Sequence, residues 1–175
     1  MAYNDTLPNK EYYSANDVLL TVDIEDGQPV KQLESLGAGI ILAGWQPDGK
    51  GLLYWLNPGR GASAASDGLE LWSFQMDETM PRPLTTGLTN KEWQSFSPQG
   101  QLLTVEGGDR IVWSNKSLAV VNPNSGRMQH LANPKGCVAI DPCFSPDGKS
   151  IAYVAAKNLA EMFGALIKLM ILMLG

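Results

Sequence analysis

The stretch CFSPDGKSIAYVAA, Cys143 to Ala156, has two echoes earlier in the same chain: GWQPDGKGLLYWLN from Gly44 and SFSPQGQLLTVEGG from Ser95. Alignment superposes Pro47-Asp48-Gly49, Pro98-Gln99-Gly100 and Pro146-Asp147-Gly148, and the prolines follow one another at steps of 51 and 48 residues. A second series keeps nearly the same pace: VLLTVDIEDGQPVKQLES from Val18, LELWSFQMDETMPRPLTT from Leu69 and LAVVNPNSGRMQHLAN from Leu118. Its late leucines, Leu33, Leu84 and Leu131, stand 51 and 47 residues apart. Two independent series in step mark a structural period, and a period of this length decides the architecture before any single motif does.

Each unit has a physical reading. In FSPDGKSIAYV the serine suits the first position of a type I turn and Pro146 presets φ at the second. Asp147 fits the third, and Gly148 accepts the left-handed conformation that closes a hairpin with a bulge. Gln46 replaces the serine in the first copy and Gln99 the aspartate in the second, but proline and glycine stay in all three. The segments after the turns, Leu53 to Leu56, Leu102 to Val105 and Ile151 to Val154, carry the β-branched, leucine and aromatic side chains of a strand. The second series supplies another strand, a polar turn and a short closing strand. Four strands in a period of this length make a β-propeller blade, and the lack of a 3.6-residue apolar period across the units excludes a helical solenoid.

The motif S-P-D-G-K-x-I-A-Y-V, most complete at Phe144 to Val154, resembles the TolB-type propeller repeat, which is related in shape to WD repeats but lacks their Trp-Asp pair. The resemblance covers roughly residues 16 to 156. It implies an all-β propeller of about six or seven blades and leaves function open, since such repeats serve periplasmic binding proteins, surface proteins and the gating domains of prolyl-oligopeptidase-like peptidases. The function it implies here is non-catalytic: a module that binds a protein or peptide and carries no cofactor. The alternative is the gating segment of a prolyl-oligopeptidase-like serine peptidase whose catalytic domain lies elsewhere.

The repeats fall near 16–36, 37–87, 88–134 and 135–156, about three blades of material in all. In blade order this is the last two strands of one blade, two whole blades and the first two strands of another. Such an arc leaves its end sheets uncovered, so the expectation is a piece of a larger propeller or self-association with a second chain. After residue 156 the repeat calls for a third strand, yet the tail 157–175 turns apolar, with LAEMFGALIKLMILML from Leu159 to Leu174. A membrane span over 159–174 is shorter than the roughly 20 residues required and holds Glu161 and Lys168. The apolar segment is expected to be helical, and an amphipathic helix capping the open end is an alternative, although apolar residues fall on every side between Leu166 and Leu174. The break in local consistency favours a truncated or frame-shifted reading frame over both.

Composition narrows the partners. Among 175 residues, 18 acidic and 13 basic side chains give a net charge of −5, and no basic run offers itself to phosphates, so nucleic acid is not expected. Cys137 and Cys143 match no disulfide framework or C-x2-C pair. The first residues lack a basic segment followed by an apolar core, so no export signal is read and the cytoplasm is the default, although TolB-type repeats imply an extracytoplasmic setting.

Catalytic and metal chemistry are not expected. His130, the single histidine, sits near a repeat end without converging partners. GASAA, Gly61 to Ala65, resembles a degraded nucleophile elbow around Ser63, with Asp67 and His130 following, but no helical pattern follows it. His130, Cys137 and Cys143 lack a fourth ligand and a known zinc spacing. PDGKG and PDGKS lie in hairpin turns, where a phosphate meets no helix N-terminus. The five tryptophans read mostly as fillers between sheets. Two long connections remain, Asn57 to Asp67 and Gly107 to Lys116, at equivalent places in successive repeats and therefore on one rim. Candidate partner-binding residues there are Arg60, Asp67, Arg110, Trp113 and Asn115. The turn residues Pro47, Gly49, Pro98, Gly100, Pro146, Asp147 and Gly148 are expected to be structural.

Overall fold

A computed structural model describes the backbone of residues 2–7, and residues 16–60, 68–107 and 110–160. Thirteen strands follow one another: β1 (Ala2–Leu7), β2 (Asn16–Val22), β3 (Pro29–Glu34), β4 (Gly39–Trp45), β5 (Gly51–Asn57), β6 (Leu69–Gln75), β7 (Arg82–Gly87), β8 (Gln94–Phe96), β9 (Leu102–Glu106), β10 (Ser117–Val121), β11 (Met128–Leu131), β12 (Cys137–Phe144) and β13 (Ile151–Lys157). A 3-10 turn at Lys91–Trp93, capped by the Asn90 side chain, leads into β8.

The strands form four sheets in chain order, β1-β2-β3, β4-β5-β6-β7, β8-β9-β10-β11 and β12-β13, and every neighbouring pair within them is antiparallel. Two complete four-stranded blades thus stand between a three-stranded and a two-stranded sheet. This is the architecture of a β-propeller segment. The first sheet is wider than the repeats imply: β1 pairs with β2 from Ala2↔Thr21 to Leu7↔Asn16. Its sequence, AYNDTL, lacks the alternation that would have marked it.

Alternation of side chains on the middle strands builds the cores. Along β5, Leu52 and Tyr54 point into a cluster with Leu19, Ile40 and Phe74, between the first and second sheets. The intervening Leu53 and Trp55 point the other way, to Leu69, Leu71, Leu84, Leu102, Ala119 and Val121, between the second and third sheets. Strand β9 repeats the device, with Leu102 on that side and Leu103 and Val105 on the next, against Trp93, Leu118, Ala139 and Ile140. Period-two alternation with both faces apolar is the pattern of a sheet sandwiched between two others. Each fully buried Leu, Ile or Val contributes about 1.5–3 kcal/mol of burial. Burial also pushes the Tyr54 phenol above the ordinary tyrosine range. Trp55 and Trp93 are core residues and Trp72 and Trp113 pack against the cores, whereas Trp45 is exposed. The outer strand β13 has no sheet beyond it among the described residues, and Tyr153 and Val154 on it are exposed.

The three echoing turns fold as their residues dictate. Gly49 donates to Gln46 O at 3.0 Å, Gly100 to Ser97 O at 2.9 Å and Gly148 to Ser145 O at 2.8 Å. The glycine φ values are +70°, +78° and +71°. In the third copy the Ser145 hydroxyl donates to Asp147 Oδ1 at 2.6 Å, and the Lys149 N–H reaches the same oxygen at 3.1 Å. Those two bonds, the hydroxyl first, hold the Asp147 carboxyl below its ordinary value.

The glycines differ in what surrounds them. A Cβ on Gly49 would meet open space, whereas one on Gly148 would lie 2.6 Å from Gln99 Oε1 and 3.0 Å from Pro98 Cδ of the neighbouring sheet's turn. Gly49→Ala should therefore cost only the left-handed strain, about 1–2 kcal/mol. Gly148→Ala should cost somewhat more, because the Gln99 side chain must swing aside and Pro98 must give by a few tenths of an ångström. Urea unfolding of both variants measures the difference, and equal losses would mean that the turns do not bear on each other.

Candidate functional site

Antiparallel alternation sorts the loops onto two rims. The proline-glycine turns and the β2–β3, β6–β7 and β10–β11 turns share one rim, which we call the turn rim. The connections β5–β6 and β9–β10 share the other, the loop rim, with the links that lead from one sheet to the next.

On the loop rim, Arg60 holds two sheets together. Its Nη2 lies 2.8 Å from Asp17 Oδ1 at the start of β2 and donates to Ala38 O at 3.2 Å. The other Asp17 oxygen accepts the Ile40 N–H of β4 at 2.7 Å. Asp17 is buried, so its charge depends on these partners. Arg60 reaches it from a left-handed backbone, φ +50°. The guanidinium is thus committed to the framework, a contact between residues 43 apart that no local pattern discloses. Asp67 and Ser63 lie outside the described residues.

The neighbouring β9–β10 loop is built on a buried ammonium. Lys116 is 2% exposed, and its Nζ donates to Ser114 O at 2.9 Å and Ile111 O at 3.2 Å. Its own carbonyl accepts from Asn133 Nδ2 at 2.7 Å. The Leu159 N–H bonds Trp113 O at 2.8 Å, and Trp113 leans on the third core. Asn115 takes the left-handed conformation, φ +49°, which asparagine tolerates better than most residues. Anchored on these sides, the loop turns Ile111 and Val112 outward, 45% and 41% exposed, beside an exposed Arg110. Arg110, Trp113 and Asn115 therefore share one element, Trp113 as a support and Asn115 as a bend. The sequence reading passed over Ile111 and Val112, since their exposure depends on how Lys116 folds the loop.

His130 stands in β11 opposite Ala119, with Nδ1 2.8 Å from Glu106 Oε1. Glu106 Oε2 also accepts from the Thr85 hydroxyl of the second sheet at 3.3 Å, so the carboxylate links two sheets. Cys137 and Cys143 are free thiols on β12. Of the apolar tail, residues 161–175 lie outside the described residues. No helix among the described residues is long and apolar enough to cross a membrane.

The turn rim carries a feature that the repeat pattern flagged only as a departure. Gln46, in the slot that holds serine in the other copies, is buried. Its Nε2 donates to Ser73 Oγ at 2.9 Å and its Oε1 accepts from Gln75 Nε2 at 2.9 Å. Gln75 Nε2 also reaches Asn124 Oδ1 of the third sheet. This amide relay forms the floor of a cleft of about 330 Å³ lined by Gln46, Pro47, Asp48, Pro98, Gln99, Gly100, Asn122 and Asn124.

The class this fold defines is a β-propeller segment. No protein-family model matches the chain. Dipeptidyl-peptidase 5 of Porphyromonas gingivalis is 24% identical over 161 residues, which take in 88% of this chain and 23% of that protein. Among solved structures, TolB from Acinetobacter baumannii matches with a TM-score of 0.48 at 19% identity, over 81% of this chain and 32% of that one. A structure from a study of two prolyl endopeptidases matches with a TM-score of 0.49 at 14% identity, over 83% of this chain and 24% of the other. Acylaminoacyl peptidase from Pyrococcus horikoshii gives 0.44 at 14% identity, over 79% and 24%. The chain spans between 23% and 32% of the length of these proteins.

Removing the Arg60 clamp tests its structural part. Arg60→Ala leaves the buried Asp17 carboxylate without its cation. The pair is partly open to solvent on the arginine side, so the expected loss is about 1–3 kcal/mol rather than that of a fully buried pair. Chemical denaturation measures it; an unchanged midpoint would mean that the Arg60–Asp17 pair adds nothing to stability.

Proposed function

We propose that this propeller segment is a non-catalytic module that binds a protein or peptide through the β9–β10 loop. The observation that carries the reading is the exposed Ile111-Val112 pair beside Arg110, on a loop preorganised by the buried Lys116 ammonium. Two adjacent apolar side chains held outward by a rigid support cost little entropy on binding, and a flanking arginine adds charge-assisted contacts. Arg60 takes no part in the contact, since it serves the Asp17 clamp. Panning the chain against a displayed random-peptide library tests this. The expected outcome is enrichment of peptides whose binding Ile111→Glu with Val112→Glu abolishes while the melting temperature stays within a few degrees. Failure to enrich, or equal binding by the variant, would overturn it.

The match to a dipeptidyl peptidase favours a second reading, in which the segment belongs to the propeller of a peptidase. On that reading the loop would face a catalytic domain in the same polypeptide. Sequencing the coding DNA around codon 158 and past codon 175 in all three frames separates the two. A resumed repeat followed by a G-x-S-x-G elbow in an α/β pattern supports the peptidase; its absence from every frame removes that reading.

A further inference from the structure

We infer that the turn rim carries a binding site of its own, the amide-lined cleft between the second and third sheets, and that it takes a neutral, hydroxyl-rich ligand of the saccharide class. The site lies on the rim opposite the β9–β10 loop and does not depend on the function proposed for that loop.

The lining decides the chemistry. Three turns meet there: Gln46 to Asp48 from the second sheet, Pro98 to Gly100 from the third, and Asn122 and Asn124 from the β10–β11 turn. No lysine or arginine is among the lining residues, so nothing in the cleft selects an anion. The one carboxylate, Asp48, is too little to select a cation. The apolar share comes from Pro47 and Pro98, whose rings give C–H surface but no deep pocket. At about 330 Å³ the cleft falls at the lower end of small-ligand sites.

The hydrogen-bonding groups left over after the internal bonds form a matched set. Asn122 Oδ1 accepts the backbone N–H of Asn124 at 3.0 Å and of Ser125 at 2.9 Å. Only an amide oxygen can accept two N–H groups, which assigns the orientation and leaves Nδ2 as a donor. Asn124 Oδ1 receives Gln75 Nε2, so its amide nitrogen is again the free end. Asp48 Oδ1 accepts the Lys50 N–H at 2.9 Å and leaves Oδ2 as an acceptor. Two asparagine donors, the Gln99 amide and one carboxylate acceptor on facing turns suit groups that both donate and accept, as adjacent sugar hydroxyls do. The buried Gln46-Gln75 pair fixes Asn124 in place. That support explains a glutamine in the serine slot of this one copy: Ser97 and Ser145 bond only within their own turns, whereas Gln46 reaches across to Ser73 and Gln75.

Two nearly isosteric variants test the site without disturbing its turns. Asn122→Asp keeps the oxygen that caps the Asn124 and Ser125 N–H groups and loses the donor. Asp48→Asn keeps the acceptor for Lys50 and replaces the free carboxylate oxygen. The full chain and both variants would be applied to an array of neutral mono- and oligosaccharides, with affinities for any hit measured by calorimetry. The expected result is binding of a neutral glycan, weakened about ten-fold or more by each substitution. The melting temperatures should hold, and Ile111→Glu with Val112→Glu should bind the glycan as the parent does. The inference is overturned if no neutral glycan binds, if hits bind both cleft variants as well as the parent, or if displayed peptides rather than glycans are lost with Asn122→Asp.

Discussion

Everything in this molecule follows from sheets that are apolar on both faces. A strand such as β5, with Leu52 and Tyr54 on one side and Leu53 and Trp55 on the other, cannot leave either side in water. It requires a neighbour before it and a neighbour after it. The radial stack satisfies that requirement with the same unit each time, so the repeat is at once a sequence period and a packing rule. The left-handed glycines at the proline-glycine turns keep the unit in register, because a hairpin that closed differently would exchange the two faces of the strand that follows.

The stack also divides the labour between rims. Short turns with strict geometry lie on one rim, and their contacts run from sheet to sheet, as Gly148 against Gln99 illustrates. Longer connections lie on the other, each anchored by one charged side chain: Arg60 to Asp17 in one case, Lys116 to the carbonyls of its own loop in the next. The two anchors work differently. The arginine joins two sheets, while the lysine ammonium is taken from water to shape a single loop, and only the second arrangement turns apolar side chains outward.

The fold was legible because its determinants are local. Proline and glycine four-residue patterns dictate the turns, and alternating apolar residues dictate the strands; both can be read within ten residues. Strand β1 was missed for the same reason, since AYNDTL has no such pattern and is a strand by virtue of pairing with β2. The candidate sites were less legible. Arg60 read as a candidate partner-binding residue on a long connection because Asp17, to which it bonds, is 43 residues away. Ile111 and Val112 lie in a connection whose polar residues drew the attention, and the Lys116 bonds that shape the loop have no signature in the repeat. Gln46 was visible as a departure from the serine pattern, yet its role depends on Ser73, Gln75 and Asn124, which come from other turns and strands. Polar contacts leave no periodic trace, whether they join distant strands, as Gln75 and Asn124 do, or close a single loop, as the Lys116 bonds do.

The three separate cores have a further consequence. Each is shared by two adjacent sheets only, so no apolar cluster among the described residues spans the whole arc. Cohesion therefore passes from sheet to sheet in the manner of a one-dimensional chain, with stability summing over nearest neighbours. Detaching an outer sheet uncovers one core and leaves the other two intact. Such a molecule can gain or shed a blade at either end over evolutionary time without redesigning the rest.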